Sequence, residues 1–255
     1  MRAFVCIKQV PDTLTRMKIV DNTNVDQTNT KWIINPYDDF AIEEAIRFKE
    51  KGLCSQVTAI SIGPKSRIAD ALRTALAMGA DDALAVDSEP LDALQTAQVL
   101  SALIKQQGAF SFVFLGTQTI DQNSSCVSQM LAHYLNVQHV WGVSKISQEG
   151  EQFCIERNIE NGAKEIFLTK PPFVIAATKG LNTPRLTSLP NIMKAKKKPL
   201  QEIPVSSFSL SDSQAKITQL LTPPERAPVQ ILAGDLSTQT SKLVDLLRNE
   251  AKILS

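Results

Sequence analysis

Short apolar runs alternate with segments of helical period through the first half of the chain. The apolar runs predict buried strands at residues 3–10, 57–62, 83–86 and 110–115. Between and after them, apolar residues recur at i, i+3 and i+4 and predict helices at residues 41–50, 68–76, 94–105 and 127–135. On the first helix, Glu43 and Arg47 are spaced to pair on the exposed face. Strict alternation of strand and helix indicates βαβ crossovers, so we expect a doubly wound α/β domain over about residues 1–136, a mainly parallel sheet with helices on both faces.

The pattern changes after residue 136. Apolar and polar residues alternate between positions 153 and 159, and Asn161-Gly162 is a strong hairpin-turn signal. Further apolar runs at 166–168 and 173–177 predict extra strands added to the same sheet. Residues 199–228 are rich in Pro, Ser and Gln, which predicts an extended C-terminal arm that lies across a partner subunit and ends in a helix at 245–254.

Charge and hydropathy exclude some functional classes. The chain has 27 basic and 26 acidic residues and a net charge of +1, so general binding of polyanions is not expected. The first apolar run is interrupted by Lys8 and Gln9, and no run approaches the roughly 20 apolar residues of a membrane span. We therefore expect no targeting segment, no membrane insertion and, for a bacterial source, a cytoplasmic protein.

Residues that often carry chemistry are sparse. The four cysteines stand far apart without a CxxC pair, and the two histidines are too few for a histidine-based metal centre. No GxSxG, HExxH, GxxxxGK[ST] or GxGxxG string occurs. Neither a metal site nor substrate turnover by this chain is therefore expected.

Ligands of open α/β sheets bind at the carboxyl ends of the strands, near the topological switch point. The predicted strands place four loops at that edge, at residues 8–13, 34–38, 62–65 and 116–128. The last loop runs from a strand into a helix, and backbone N–H groups at such a helix start suit a phosphate. On local sequence alone, ordinary N-capping by Asp121, Asn123 or Ser124 is the favoured interpretation.

The segment from residue 184 to 198, called here the basic segment, carries five basic residues and no acidic one. It also contains Leu189, Ile192 and Met193. A nucleic-acid site is disfavoured because the segment has no aromatic residue for base stacking. An apolar tip framed by lysines instead indicates docking into a hydrophobic pocket on an acidic protein partner.

Four strings, taken together, resemble the β (small) subunit of electron transfer flavoprotein. They are CIKQVPD from Cys6, NPYD from Asn35, RTALAMGAD from Arg73 and LPNIMKAKK from Leu189. They occur in the family's order over nearly the whole chain, and the last two are highly specific.

The resemblance implies an electron carrier that works as a heterodimer. An α subunit would hold most of one FAD. The flavin would accept electrons from acyl-CoA dehydrogenases, in fatty acid β-oxidation, and pass them to a membrane quinone oxidoreductase. The chain would divide into a nucleotide-binding-like domain (1–180), a partner-recognition segment (181–200) and a C-terminal arm and helix that pack on the α subunit (201–255).

The resemblance also implies two sets of functional residues. Contacts to a structural AMP would come from Cys6, Asn35, Pro36, Tyr37, Asp38, Ile62, Gly116, Thr117, Gln118, Asp121, Asn123, Ser124, Ser125, Cys126 and Val127. Recognition of the dehydrogenase would come from Leu189, Pro190, Asn191, Ile192, Met193, Lys194, Lys196 and Lys197, with Leu189 as the anchor. Cys126 and Val127 depart from the family's pattern and offer little hydrogen bonding to a phosphate, so weak or absent AMP binding is expected.

Two other functions are compatible with parts of the sequence. A free-standing regulator that binds an adenine nucleotide is the main alternative, and it would need no flavin. A flavin-bifurcating relative would hold a second FAD in place of AMP, but the loop at 121–127 lacks the glycine-rich form expected there.

Overall fold

The computed structural model of the chain describes residues 1–225 and 228–254. The strands in these residues are β1 (Arg2–Cys6), β2 (Gln9–Pro11), β3 (Trp32–Ile34), β4 (Gln56–Gly63), β5 (Asp82–Asp87), β6 (Phe112–Gly116), β7 (Gln138–Glu149), β8 (Gln152–Asn158), β9 (Lys164–Thr169), β10 (Phe173–Ala177) and β11 (Leu200–Pro204). The α-helices are α1 (Pro36–Glu50), α2 (Lys65–Met78), α3 (Ala93–Gln106), α4 (Val127–Leu135), α5 (Leu189–Ala195) and α6 (Leu236–Asp245).

One large mixed sheet has the strand order β11-β5-β4-β1-β6-β10-β7-β8-β9. Every neighbouring pair is parallel except β7–β8 and β8–β9, and β2 and β3 form a separate antiparallel pair. From β1 the chain moves outward to β4 and β5, then returns to place β6 on the other side of β1. The topological switch point therefore lies between β1 and β6.

Helices cover both faces of this sheet, as predicted. One face buries apolar side chains of α1 and α2, and the other buries those of α3 and α4. Phe48 of α1 packs edge-on against Phe112 at 5.0 Å between ring centroids and stacks on Phe153 at 5.6 Å. Burial of each such aromatic side chain contributes roughly 1.5–3 kcal/mol to the free energy of unfolding. The doubly wound α/β prediction, with extra strands on the same sheet, is confirmed.

The predicted strand at 3–10 is confirmed only in part: β1 ends at Cys6, and Gln9 and Val10 belong to β2, which pairs with β3 outside the large sheet. The backbone N–H of Lys8 donates to Asp38 Oδ2 at 2.7 Å instead of to a neighbouring strand, so the chain leaves the sheet there. The pairing of Glu43 with Arg47 is confirmed at 3.0 Å, but Glu43 is buried and not on an exposed face. The reason is that Arg185 covers Glu43 from a distant part of the chain.

Several elements were not predicted, among them β3, β7, β11 and α5. The 12-residue strand β7 mixes buried and exposed positions without a clean alternation, and it is irregular where Val143 and Lys145 pair with β8. The strand β11 lies at the sheet edge, parallel to β5, so the irregular arm predicted from residue 199 is wrong for Leu200–Pro204. Helix α5 lies within the basic segment.

The chain divides after Thr218 into two compact units. The second unit contains α6, whose N-cap residue Asp235 accepts the Thr238 N–H on its carboxylate at 2.8 Å. The predicted final helix at 245–254 is wrong in its bounds: α6 starts at Leu236, and only Asp245 and the π-helical turn at Leu246–Glu250 fall within the predicted range. None of the helices in the described part of the chain is long and apolar enough to cross a membrane.

Candidate functional site

Asp38 lies at the centre of a polar cluster at the switch point. Its Oδ2 accepts the Lys8 N–H at 2.7 Å, and its Oδ1 accepts the Gly116 N–H and the Asn35 side-chain amide, both at 3.0 Å. One carboxylate thus joins the chain after β1, the start of α1 and the end of β6. Burial raises the pKa of Asp38 to about 7, although the three donors lower it and the nearby Asp39 raises it further.

Asn35 fixes the loop that follows β6. It is fully buried just before α1, and its side-chain amide donates to Gln118 O at 2.9 Å while its Oδ1 accepts the Ile120 N–H at 3.2 Å. Thr117, the residue before Gln118, donates its N–H to Ala177 O on β10 at 3.0 Å. The loop is therefore held by β10 and by the N-cap residue of α1.

Gly116 allows this close approach. A Cβ atom at this position would clash with Asp38 Oδ1 and lie 2.7 Å from Tyr37 Cβ and 2.9 Å from the Tyr37 carbonyl carbon. No residue with a side chain fits without displacing the first turn of α1.

Further along the loop, the polar side chains bond mainly to one another. Gln118 donates to Asn123 Oδ1 at 3.2 Å and accepts the Ser125 hydroxyl at 3.0 Å. The Cys126 thiol donates to Ser124 O at 3.0 Å. Cys126 is the N-cap of α4, and no side chain among the described residues caps that helix. Capping by Asp121, Asn123 or Ser124 is therefore wrong.

The remaining predicted residues of this site lie near it with different surroundings. Cys6 is buried at the end of β1, and burial, together with the Asp38 carboxylate, raises the pKa of its thiol. Ile62, near the end of β4, packs into the core on the α3 and α4 side. Asp121 is exposed and pairs with Lys8 at 2.7 Å, a contact that was not predicted from the sequence although Lys8 lies only two residues after β1. Among the described residues, no group of three or more His, Cys, Asp or Glu side chains is arranged to hold a metal ion.

The basic segment presents an exposed apolar surface. Residues 188–194 are all exposed, with Leu189 at 79% and Met193 at 61%. Ser188 caps α5 by accepting the Asn191 N–H at 3.4 Å. Leu186 is 96% exposed and extends this surface. It was not singled out from the sequence, although its position beside Arg185 in an otherwise polar stretch was a signal.

The lysines of the basic segment divide into two groups. Lys194, Lys196 and Lys197 are exposed and form no ion pair with any residue in 1–225 or 228–254. Lys198 instead donates to two backbone carbonyls at the end of α2, those of Leu76 at 2.9 Å and Ala80 at 2.6 Å. Burial lowers the pKa of Lys198. The free positive charge is therefore confined to the three lysines around the end of α5.

A doubly wound sheet with a polar loop at its switch point is typical of nucleotide-binding α/β proteins. Comparison with known sequences is more specific: the model for the electron transfer flavoprotein domain matches residues 23–208, and the chain belongs to this family. It is similar to electron transfer flavoprotein subunit beta of Bacillus subtilis (strain 168), at 36% identity over 100% of both chains. The mitochondrial subunit beta of Oryza sativa subsp. japonica is 37% identical over 100% of both chains, and subunit beta of Sus scrofa is 35% identical over 99% of each.

The family resemblance drawn from the sequence is thereby confirmed. The similarity extends over the full chain and supports a β-subunit role in flavoprotein electron transport, which implies an α subunit as partner.

Proposed function

We propose that this chain, with an α subunit that holds most of one FAD, carries electrons from acyl-CoA dehydrogenases and related flavoenzymes to a membrane quinone oxidoreductase. The chain itself turns over no substrate. The observation that supports this function most directly is the exposed apolar tip of the basic segment, with Leu189 on a short helix beside three exposed lysines.

This tip has the chemistry of a docking surface. Leu189 and Met193 offer apolar side chains to a pocket, while Lys194, Lys196 and Lys197 would face an acidic rim. Interfaces commonly combine a central apolar anchor, which sets affinity, with rim charges that raise the association rate. A dehydrogenase with a hydrophobic pocket and an acidic border is the partner that fits.

We expect Leu189→Ala to raise the KM of a partner dehydrogenase for the flavoprotein complex about tenfold or more, because truncating a central anchor often costs roughly 2 kcal/mol. The FAD content should not change, since Leu189 is exposed and takes no part in the hydrogen bonds around Asp38. Steady-state electron transfer with the purified heterodimer measures both. Leu14→Ala, at a leucine that is 88% exposed elsewhere on the chain, is the matched control and should leave KM unchanged. Unchanged kinetics in Leu189→Ala would contradict the proposed docking role.

The residues of the switch-point loop fit an AMP phosphate only in part. Gln118, Asn123 and Ser125 are bonded to one another, and Cys126 bonds to Ser124 O. A phosphate would therefore depend on backbone N–H groups at the uncapped start of α4.

We accordingly expect less than one AMP per FAD in protein purified with its α subunit and without added nucleotide. Each missing charged hydrogen bond should cost roughly 1.5–3 kcal/mol. Quantifying the nucleotide and flavin released on denaturation measures the ratio. Equal amounts of AMP and FAD would show that the backbone donors suffice to bind the phosphate. A colourless protein that contains adenine nucleotide but no flavin would favour the alternative function, a free-standing regulator that binds an adenine nucleotide.

The C-terminal unit is proposed to pack on the α subunit. Many of its large apolar side chains are exposed: Leu221, Val229, Ile231, Leu236, Leu243, Val244, Ile253 and Leu254. An apolar surface of this kind, on a segment with little core of its own, is typical of a subunit interface.

A further inference from the structure

Arg185 connects the start of the basic segment to helix α1. Its guanidinium contacts Glu43 at 2.8 and 3.0 Å and Glu50 at 2.7 and 3.1 Å, and its backbone N–H donates to Glu43 Oε2 at 3.1 Å. Just before it, the Asn182 side-chain amide donates to Glu44 Oε2 at 2.9 Å. A fork of charged hydrogen bonds to two carboxylates fixes both the position and the orientation of the residue.

The other end of the segment is fixed to α2. Arg73 donates to the carbonyls of Ala195 at 2.7 Å and Lys198 at 2.9 Å. The Lys198 ammonium, in turn, binds carbonyls at the end of α2, where a positive charge also suits the helix dipole. Residues 186–197 therefore form an arch with its two ends held on neighbouring helices.

Between these ends the arch is supported by the packing of α5 on α2 at the buried Ala195, but residues 188–194 at its tip are exposed. Its helix α5 has seven residues, too few to be stable in isolation, and Ala195 is the one arch residue classed as buried in the described chain. Without fixed ends, the apolar tip would sample many conformations, and a partner would have to order it on binding. Fixing the tip beforehand removes part of that cost.

We propose that Arg185 is a positioning residue for partner docking, which it supports by holding residues 186–197 in the conformation that presents Leu189. This inference rests on the docking role proposed above. Arg185 itself need not touch the partner, because its guanidinium is occupied by Glu43 and Glu50.

The test uses Arg185→Gln in the heterodimer. We expect the KM of the dehydrogenase for the complex to rise roughly five- to tenfold, since the tip must be ordered on binding. The kcat and the FAD content should stay the same. Hydrogen exchange of residues 186–197 should become faster in the free heterodimer, without a partner present. Arg185→Lys keeps the charge but not the fork, so it should give a smaller effect in the same direction.

Two further variants separate positioning from general loss of structure. Glu50→Gln removes one half of the clamp at an exposed carboxylate and leaves no buried charge unpaired, so a smaller rise in KM is expected. Arg47→Gln is the matched control: it removes another cation from Glu43, 3.0 Å away, but Arg47 makes no hydrogen bond or ion pair to the described basic segment. For Arg47→Gln, the KM of the dehydrogenase for the complex and the hydrogen-exchange rates of residues 186–197 should equal those of the parent protein.

The outcomes distinguish this inference from the function on which it rests. If Leu189→Ala raises KM while Arg185→Gln changes neither KM nor hydrogen exchange, positioning by Arg185 is overturned and docking stands. If Leu189→Ala has no effect, the docking role fails and the inference fails with it. An equal rise in KM for Arg47→Gln would show that the effect comes from α1 in general and would also overturn the proposal.

Discussion

Replacing Asp38 by alanine should destabilise the protein by about 3–5 kcal/mol. The substitution leaves one buried donor, on Asn35, and two partly buried donors, on Lys8 and Gly116, without their acceptor. Each unsatisfied buried donor costs roughly 1–3 kcal/mol, and the cavity adds to this. The urea midpoint of the heterodimer measures the loss. Asp121→Ala is the matched control on the same loop: it removes a partly exposed ion pair with Lys8 and should cost about 1 kcal/mol or less.

The same carboxyl group should contribute to the pH dependence of stability. The pKa of Asp38 rises from 3.8 to about 7 on folding, because burial disfavours the charged form. The folded chain therefore keeps this proton to higher pH than the unfolded chain. The stability that the protonated Asp38 carboxyl contributes is fully present below about pH 4 and is lost as the pH rises towards about 7. The difference between the parent protein and Asp38→Ala should accordingly be larger at pH 5 than at pH 8. A difference independent of pH would contradict this assignment.

The second large effect is expected at Gly116, where even a methyl group has no room. In Gly116→Ala the new Cβ would clash with Asp38 Oδ1 and lie 2.9 Å from the backbone of Tyr37, which cannot move without α1. We expect the free energy of unfolding to fall by about 3 kcal/mol. This is at the upper end of the range for overpacking, because the hydrogen bonds of Asp38 are displaced as well. Thermal unfolding of the heterodimer and its FAD content would show the change.

A second glycine variant is the control for this effect. Gly150 lies in the turn between β7 and β8 at φ 63°, and a Cβ there would meet nothing within 4 Å. Asparagine tolerates this backbone conformation, so Gly150→Asn should cost about 1 kcal/mol or less. If Gly116→Ala lowered the free energy of unfolding no more than Gly150→Asn, the close packing of β6 against α1 would not be important for stability.

Elements with a strong local period were predictable from the sequence. The helix at 127–135 and the strand at 173–177 have the predicted bounds, because their burial patterns depend on short-range repetition. The turn signal Asn161-Gly162 also lies where the chain reverses between β8 and β9. Strands without a clean period, such as β7 and β11, were missed, since each is defined by the strand it pairs with.

For the candidate site, the strand-end rule placed Asn35–Asp38 and the loop after β6 at the same edge of the sheet. That placement requires only the alternation of strands and helices. The contacts within the site were not predictable, because Asp38 and Gly116 meet across 78 positions of the chain. Asp121 looked like a helix cap and instead pairs with Lys8, whose position depends on where β1 ends.

The sequence by itself therefore determined the family, the doubly wound sheet and the presence of an apolar tip among lysines, since these depend on local pattern and on long specific strings. Only the tertiary structure decided which charges are free. Lys198 is one of several similar lysines in the sequence, but it is held by the carbonyls of α2, whereas Lys196 and Lys197 remain exposed. In the sequence, nothing distinguishes Arg185 from the other basic residues of the segment. Its partner Glu43 lies 142 positions away and is brought to it only by folding. A charge acts through its neighbours in space, and for these residues the neighbours come from distant parts of the chain.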